Sequence, residues 1–168
     1  MKTMKSIGWL LLIVSGVFTN ARGEPFRTDI NPALRYFLAF MVAPDFPPAD
    51  RDYLMTNEWR GQKLPDRFGE LLNRYNPEFS VLRAAAHATV PCDWGIDFSA
   101  GPSTLLPHLA RVKAVSQAAR LRVMWDLQQG WQAEARDDLL AAFVLGRHGS
   151  RDGSMISALV QMTTEGIA

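Results

Sequence analysis

The spacing of apolar and polar residues divides the chain into an uncharged leading block and a succession of helical segments. The leading block, Ile7 to Phe18, contains no charge and follows a basic start at Lys2 and Lys5. It fits the apolar region of a secretory signal, roughly 7–15 residues, and falls short of the ~20 that a membrane-spanning helix needs. Ala21 and Gly23 are the small residues a signal peptidase requires before a cut between Gly23 and Glu24, with Ala21–Arg22 as the alternative cut. The competing reading is a buried apolar helix or an uncleaved anchor. Arg22, Glu24 and Pro25 follow too closely to favour it. The chain thus divides into a signal peptide, residues 1–23, and a single mainly helical domain, residues 24–168, with no second apolar segment able to span a membrane.

Helix starts recur as an Asn or Asp followed by Pro, whose missing N–H costs nothing at the first helical position. Asn31-Pro32 opens a segment to Val42 that is apolar apart from Arg35, which predicts a helix buried on most sides and ended by Ala43-Pro44. A turn-rich stretch leads to a short helix over Ala49–Asn57. After Leu64-Pro65-Asp66, residues Phe68, Leu71, Leu72 and Tyr75 recur at helical spacing; Asn76 then caps a helix striped by Phe79, Leu82 and Ala86. Thr89 to Ser103 has no helical period and is rich in Pro, Gly and Asp. A loop of about 15 residues inside a small domain is often functional.

The longest helical pattern, Leu105 to Gln128, carries two apolar stripes. Leu105, Leu109, Val112, Ala119, Val123 and Leu127 lie on one and Ala114, Ala118, Leu121 and Trp125 on the other, which predicts neighbours on both sides. Its basic residues pair off on opposite faces, Arg111 with Arg122 and Lys113 with Arg120, so they form no single strip for phosphate. Gly130 then punctuates the pattern, and Trp131, Ala135, Leu139, Ala142 and Phe143 mark the returning helix of a hairpin, with Trp125 and Leu139 expected inside. Asp152 or Ser154 caps a last segment whose Ile156, Leu159, Val160, Thr163 and Ile167 need a partner. The expected fold is therefore all-α, a helical bundle.

Charge and cysteine narrow the function. Without residues 1–23, fifteen basic residues face seventeen acidic ones, a formal charge of −2, which gives no reason to propose nucleic acid or anionic lipid as a partner. Cys92 is the only cysteine, so the domain folds without an internal disulfide. It also lies too far from the signal to be a lipidated first residue. No cofactor is expected, because zinc or haem attachment would need partner cysteines, and His87, His108 and His148 lack the spacing of a metal site.

The helix–Gly130–helix unit, with small residues at Ala135 and Ala142, resembles a tetratricopeptide-type repeat in those positions, although Ala119 stands where that repeat favours Trp and Val123 where it favours a small residue. An ordinary helical hairpin in a bundle is the alternative. More broadly, the stretches NPALRYFLAF from Asn31, TNEWRGQKLPDRFGELLNRY from Thr56, HATVPCDWGIDFSAGPSTLLPHLARVK from His87, and Gln117–Gln161 resemble a family of exported bacterial proteins to which no activity is assigned. That resemblance implies a place in the periplasm or cell envelope and a chain that continues beyond Ala168.

Candidate chemistry is sparse. Cys92 could serve as a thiolate nucleophile with His87 or His108 as base, oriented by Asp93 or Asp97, but no local signature of a cysteine enzyme surrounds it. Asp93 and Asp97, with Glu58 elsewhere, could form paired carboxylates; two loop aspartates are more often turn formers. Trp59 and Trp94 could stack on a sugar or peptide, although core anchoring is the commoner use of Trp. The expected function is an exported helical binding or scaffold module with a protein or peptide partner. An exported hydrolase built on the 87–108 region is the alternative.

Overall fold

The structure is a computed structural model that describes residues 27–56 and 58–167; the signal peptide assigned to residues 1–23 lies outside these. Among the described residues the chain is all-helical. Its helices are α1 (Pro32–Val42), α2 (Pro48–Met55), α3 (Arg67–Asn73), α4 (Asn76–Ala86), α5 (Pro107–Gln129), α6 (Gln132–Gly149) and α7 (Met155–Ile167), with a 3₁₀ turn at Gly101–Ser103. α1 packs on α4, α4 on α6, and α6 on α5, while α7 lies against both α5 and α6. Tyr36, Phe68, Phe79, Leu82, Leu121 and Leu145 are fully buried in one continuous core that draws on six of these helices and the loop before α5.

Local chemistry sets the helix ends. Asn31 Oδ1 accepts from the Ala33 N–H at 3.1 Å and Pro32 takes the first helical position, so α1 starts where the sequence predicts. Asn76 behaves differently: it is the first residue of α4, and its side chain accepts from Arg122 at 2.8 Å instead of capping the helix. Gly130 adopts the left-handed conformation (φ 82°) that turns α5 into α6, a conformation costly for a residue with a Cβ. Gly69 serves a close approach, because a Cβ there would stand 2.7 Å from the Trp125 ring and push α3 off α5.

The α5–α6 hairpin is present, and Leu109, Val112, Ala118, Ala119 and Leu121 are buried as expected, but Leu105 and Ala114 are exposed and the inward face of α6 is shifted from the one expected. Trp125 and Leu139 are only half-buried and Leu127 and Trp131 are exposed, whereas α6 turns Ala135, Asp138, Ala141, Ala142 and Leu145 inward. The reason is Asp138, which is 0% exposed. Its Oδ1 pairs with Arg83 of α4 and its Oδ2 accepts from Arg122 Nε of α5 at 2.7 Å. Arg122 also donates to the Leu72 carbonyl at 2.9 Å and to Asn76, and its guanidinium lies over the Phe79 ring, 4.6 Å from the centroid. Arg122 is thus buried among acceptors from three elements, not paired with Arg111 on the surface.

α1 and α7 also depart from expectation, and in the same way. α1 buries Ala33, Tyr36 and Ala39 but exposes Leu34, Phe37, Leu38 and Met41, the last 82% exposed. In α7, Asp152 Oδ1 accepts from the Ser154 N–H and Ser154 Oγ from the Ser157 N–H, so both proposed caps operate. The helix packs through Ser157, Val160 and Thr164, leaving Met155, Ile156, Leu159 and Met162 outward. Small and hydroxyl side chains permit close helix approach: a Cβ on Gly146 of α6 would already come within 3.0 Å of Thr164.

Replacing Asp138 with Asn leaves two guanidinium groups without a counter-charge, and should cost about 3–5 kcal/mol in urea unfolding. Asp137→Asn, next along the same helix but in a surface pair with Arg136, should cost less than about 1 kcal/mol.

Candidate functional site

The irregular Thr89–Ser103 segment is tied down over its first residues. Thr89 N–H and Oγ1 both donate to the Thr28 carbonyl, and Asn31 exchanges two hydrogen bonds with the Asp93 backbone, at 2.7 and 3.1 Å. Its middle is pinned by Trp94, whose Nε1 donates to the His148 carbonyl at 2.8 Å. The Trp94 ring stacks on Tyr36, Phe40 and His108 with centroids 5.6, 6.4 and 4.4 Å away. Tyr36 Oη and His148 Nδ1 share a hydrogen bond of 2.8 Å. The loop is therefore an ordered strap across α1, α5 and the end of α6.

His108 sits inside this cluster. It is 2% exposed, and its Nε2 has no hydrogen-bond partner among the described residues. Burial pulls the imidazole below its ordinary range, opposed by the Gly149 backbone and Asp152; burial also lowers His148, assisted by Arg151. His87 is, in contrast, at the C-cap of α4 and exposed.

The remaining candidates fall into structural roles. Cys92 is buried, and desolvation pushes its thiol up to about 11; Arg151, Asp93 and the Ala33 backbone bear on it, but no histidine does. Asp93 Oδ1 accepts from the Gly95 N–H at 2.9 Å, and Asp97 accepts from both the backbone and hydroxyl of Ser99. Both carboxylates close turns of the strap. Hydrogen bonding by Ser99 holds Asp97 below the usual carboxylate range. Glu58 accepts from the Arg60 N–H and lies 3.8 Å from Arg120. Trp59 packs against Tyr53 and Phe68, 5.5 and 4.8 Å between centroids, as a core anchor. Of the eight residues singled out, Cys92, Asp93, Trp94, Asp97 and His108 meet around the strap; Glu58, His87 and Trp59 do not join them. No cluster of three His, Cys, Asp or Glu able to hold a metal occurs among the described residues.

Trp94 separates two cavities. One of about 540 Å³ is lined by Phe37, Ile96, Thr104, Leu105 and His108, the other of about 120 Å³ by Cys92, Phe98, Arg151 and Asp152. The first adjoins a groove of about 330 Å³ between α5 and α7, since Thr104 and Leu105 line both.

A polar cavity that sequence reasoning did not find lies elsewhere, between α1, α2, α4 and α5. Its volume is about 390 Å³, with Phe40, Phe46, Met55 and Val115 as apolar walls and Arg51, Tyr75, Glu78 and Arg111 among its polar groups. Glu78 is 3% exposed, and among the described residues nothing hydrogen-bonds its carboxyl. Desolvation pushes Glu78 up to about 7 against the pull of Arg111 and Arg122, and pushes Tyr75 up to about 12. In sequence Glu78 reads as an ordinary first-turn acid of a Pro-initiated helix. Asp126 of α5 is a second buried carboxyl raised by desolvation, to about 6.

No family model matches the chain, and comparisons with curated proteins and with solved structures return no match either.

The Glu78 carboxyl binds its proton more tightly in the folded chain than in the unfolded one, so its share of stability is complete below about pH 4.5 and is lost as the pH rises through about 7. Glu78→Gln should therefore match the parent near pH 4 and exceed it above pH 7, by about 3 kcal/mol at most. Urea midpoints across that range check this. Because Asp126 titrates in both proteins, the difference between them isolates Glu78.

Proposed function

We propose that the chain is an exported helical binding module that docks an amphipathic helix of a protein partner. The observation that carries this reading is a continuous apolar track from α1 to α7. Leu34, Phe37, Leu38 and Met41 fall on one exposed face of α1, within about 100° of arc. The cavity behind Phe37 leads past Leu105, which is 85% exposed, into the α5–α7 groove with Leu109, Ile156 and Val160. Met155, Leu159 and Met162 extend the face along α7. Open apolar patches of this kind mark interaction surfaces, and Met side chains adapt to the shape of what they bind.

The grooved shape fits a helix with apolar residues at i, i+3, i+4 and i+7. Lys113 lines the groove, so an acidic residue flanking that apolar stripe would complement it. The packing of α7 against both helices of the α5–α6 hairpin, in which Ala135 and Ala142 are buried, accords with the arrangement of a tetratricopeptide-type array. The basic start, the Ile7–Phe18 run and the small residues at Ala21 and Gly23 support export, and hence a partner in the periplasm or cell envelope. The strap supplies no assembled nucleophile and base, since its carboxylates close turns and its thiol is buried and raised.

Selection from a displayed library of random peptides tests the docking surface. Enriched peptides should show helical apolar spacing with a flanking acid, and Leu105→Asp or Ile156→Asp should weaken them at least about tenfold without lowering Tm, because both side chains are exposed. Enrichment of peptides without that spacing, or retention by both variants, contradicts the reading. A concentration-dependent dimer abolished by the same variants would assign the face to a second copy of this chain instead. Export is checked separately by N-terminal sequencing of the secreted protein, which should begin at or near Glu24; retention of Lys2–Phe18 would contradict it.

A further inference from the structure

The cavity beneath α1 and α2 carries a feature that the docking surface does not use. Buried carboxyls are normally paired or hydrogen-bonded, because an isolated one costs several kcal/mol. Glu78 is buried, has no hydrogen-bond partner among the described residues, and lines a cavity of about 390 Å³. That size falls at the lower end of small-molecule sites, which run from about 300 to 1,000 Å³. The cavity reaches this carboxyl, so a donor or cation entering it would meet an acceptor that the surrounding chain does not engage.

The other walls restrict what that donor belongs to. Arg51 of α2 and Arg111 of α5 face the same space, as do Asp45 of the turn after α1 and Asp52 of α2, while Arg122 of α5 also bears on Glu78. A simple cation would meet the arginines and a simple anion the carboxylates. A molecule carrying both charges satisfies each set, and its apolar part has Phe40, Phe46, Met55 and Val115 to pack on. We propose that this cavity binds a free apolar α-amino acid, with the ammonium group on Glu78, the carboxylate toward Arg111 and Arg51, and the side chain among the aromatic and aliphatic walls.

The full chain is titrated by calorimetry with phenylalanine, leucine and methionine, each beside the analogues that lack the carboxylate or the ammonium; for phenylalanine these are phenethylamine and 3-phenylpropionate. The expected result is that at least one amino acid binds and that both its analogues bind at least about tenfold more weakly, since each loses one charged contact. Binding near pH 7 should also release protons, measured by repeating the titration in buffers of different ionisation heat, because an ammonium partner favours ionised Glu78. Glu78→Gln should lose about tenfold or more in affinity and all of the proton release. Circular dichroism confirms that the variant is folded, and Arg111→Ala supplies an independent variant expected to weaken the amino acid but not the amine. The proposal is overturned if no amino acid of the panel binds, if the ammonium-free acid binds as tightly as its parent, or if Glu78→Gln binds unchanged.

Discussion

Four helices of the bundle are tied to one buried carboxylate. Asp138 takes a guanidinium from α4 through Arg83 and another from α5 through Arg122, and Arg122 extends the network to the end of α3 through the Leu72 carbonyl. Charges removed from water must be matched in direction as well as in sign, so this network fixes the rotation of each helix about its axis more sharply than apolar contact does. With Asp138 turned inward, α6 offers a narrow surface of Ala135, Ala141, Ala142 and Gly146, against which α5 and α7 settle closely. Leu140 and Trp131 are carried outward by the same rotation.

The positions of the helices were legible in the sequence because their ends are chemically marked. Asn31-Pro32, Gly130 and Ser154 place three boundaries within a residue or two, and the absence of period from Thr89 to Ser103 correctly separates an irregular strap from the helices on either side. The faces were less legible. Hydrophobic periodicity assumes that the inner face is the apolar one, whereas α6 turns Asp138 inward and α7 turns Ser157 and Thr164 inward while Ile156 and Leu159 remain outside. The long-range partners Arg83 and Arg122 lie 55 and 16 residues from Asp138, and no local spacing reveals them.

The same limit governs the site. Cys92, Asp93, Trp94, Asp97 and His108 attract notice because they are close in sequence, and the fold does gather them, yet mainly to hold the strap in place. Glu78 was passed over because the first turn of a helix is where an acid is expected. Its environment comes from α1, α2 and α5, which no reading of its neighbours supplies. Exposure tells the complementary story at α1 and α7, where apolar side chains of Phe37, Leu105 and Ile156 that a closed bundle would cover instead border one continuous track.

The central claim is that this track receives a partner helix. Hydrogen exchange of the full chain with and without a selected helical peptide tests it most directly, because protection reports where the peptide sits residue by residue. The account predicts slowed exchange confined to α1, the Thr104–Leu106 segment and α7, with the Asp138 network and the Glu78 cavity unchanged. Protection that falls on α2 and α4 instead, or none along α7, would contradict it.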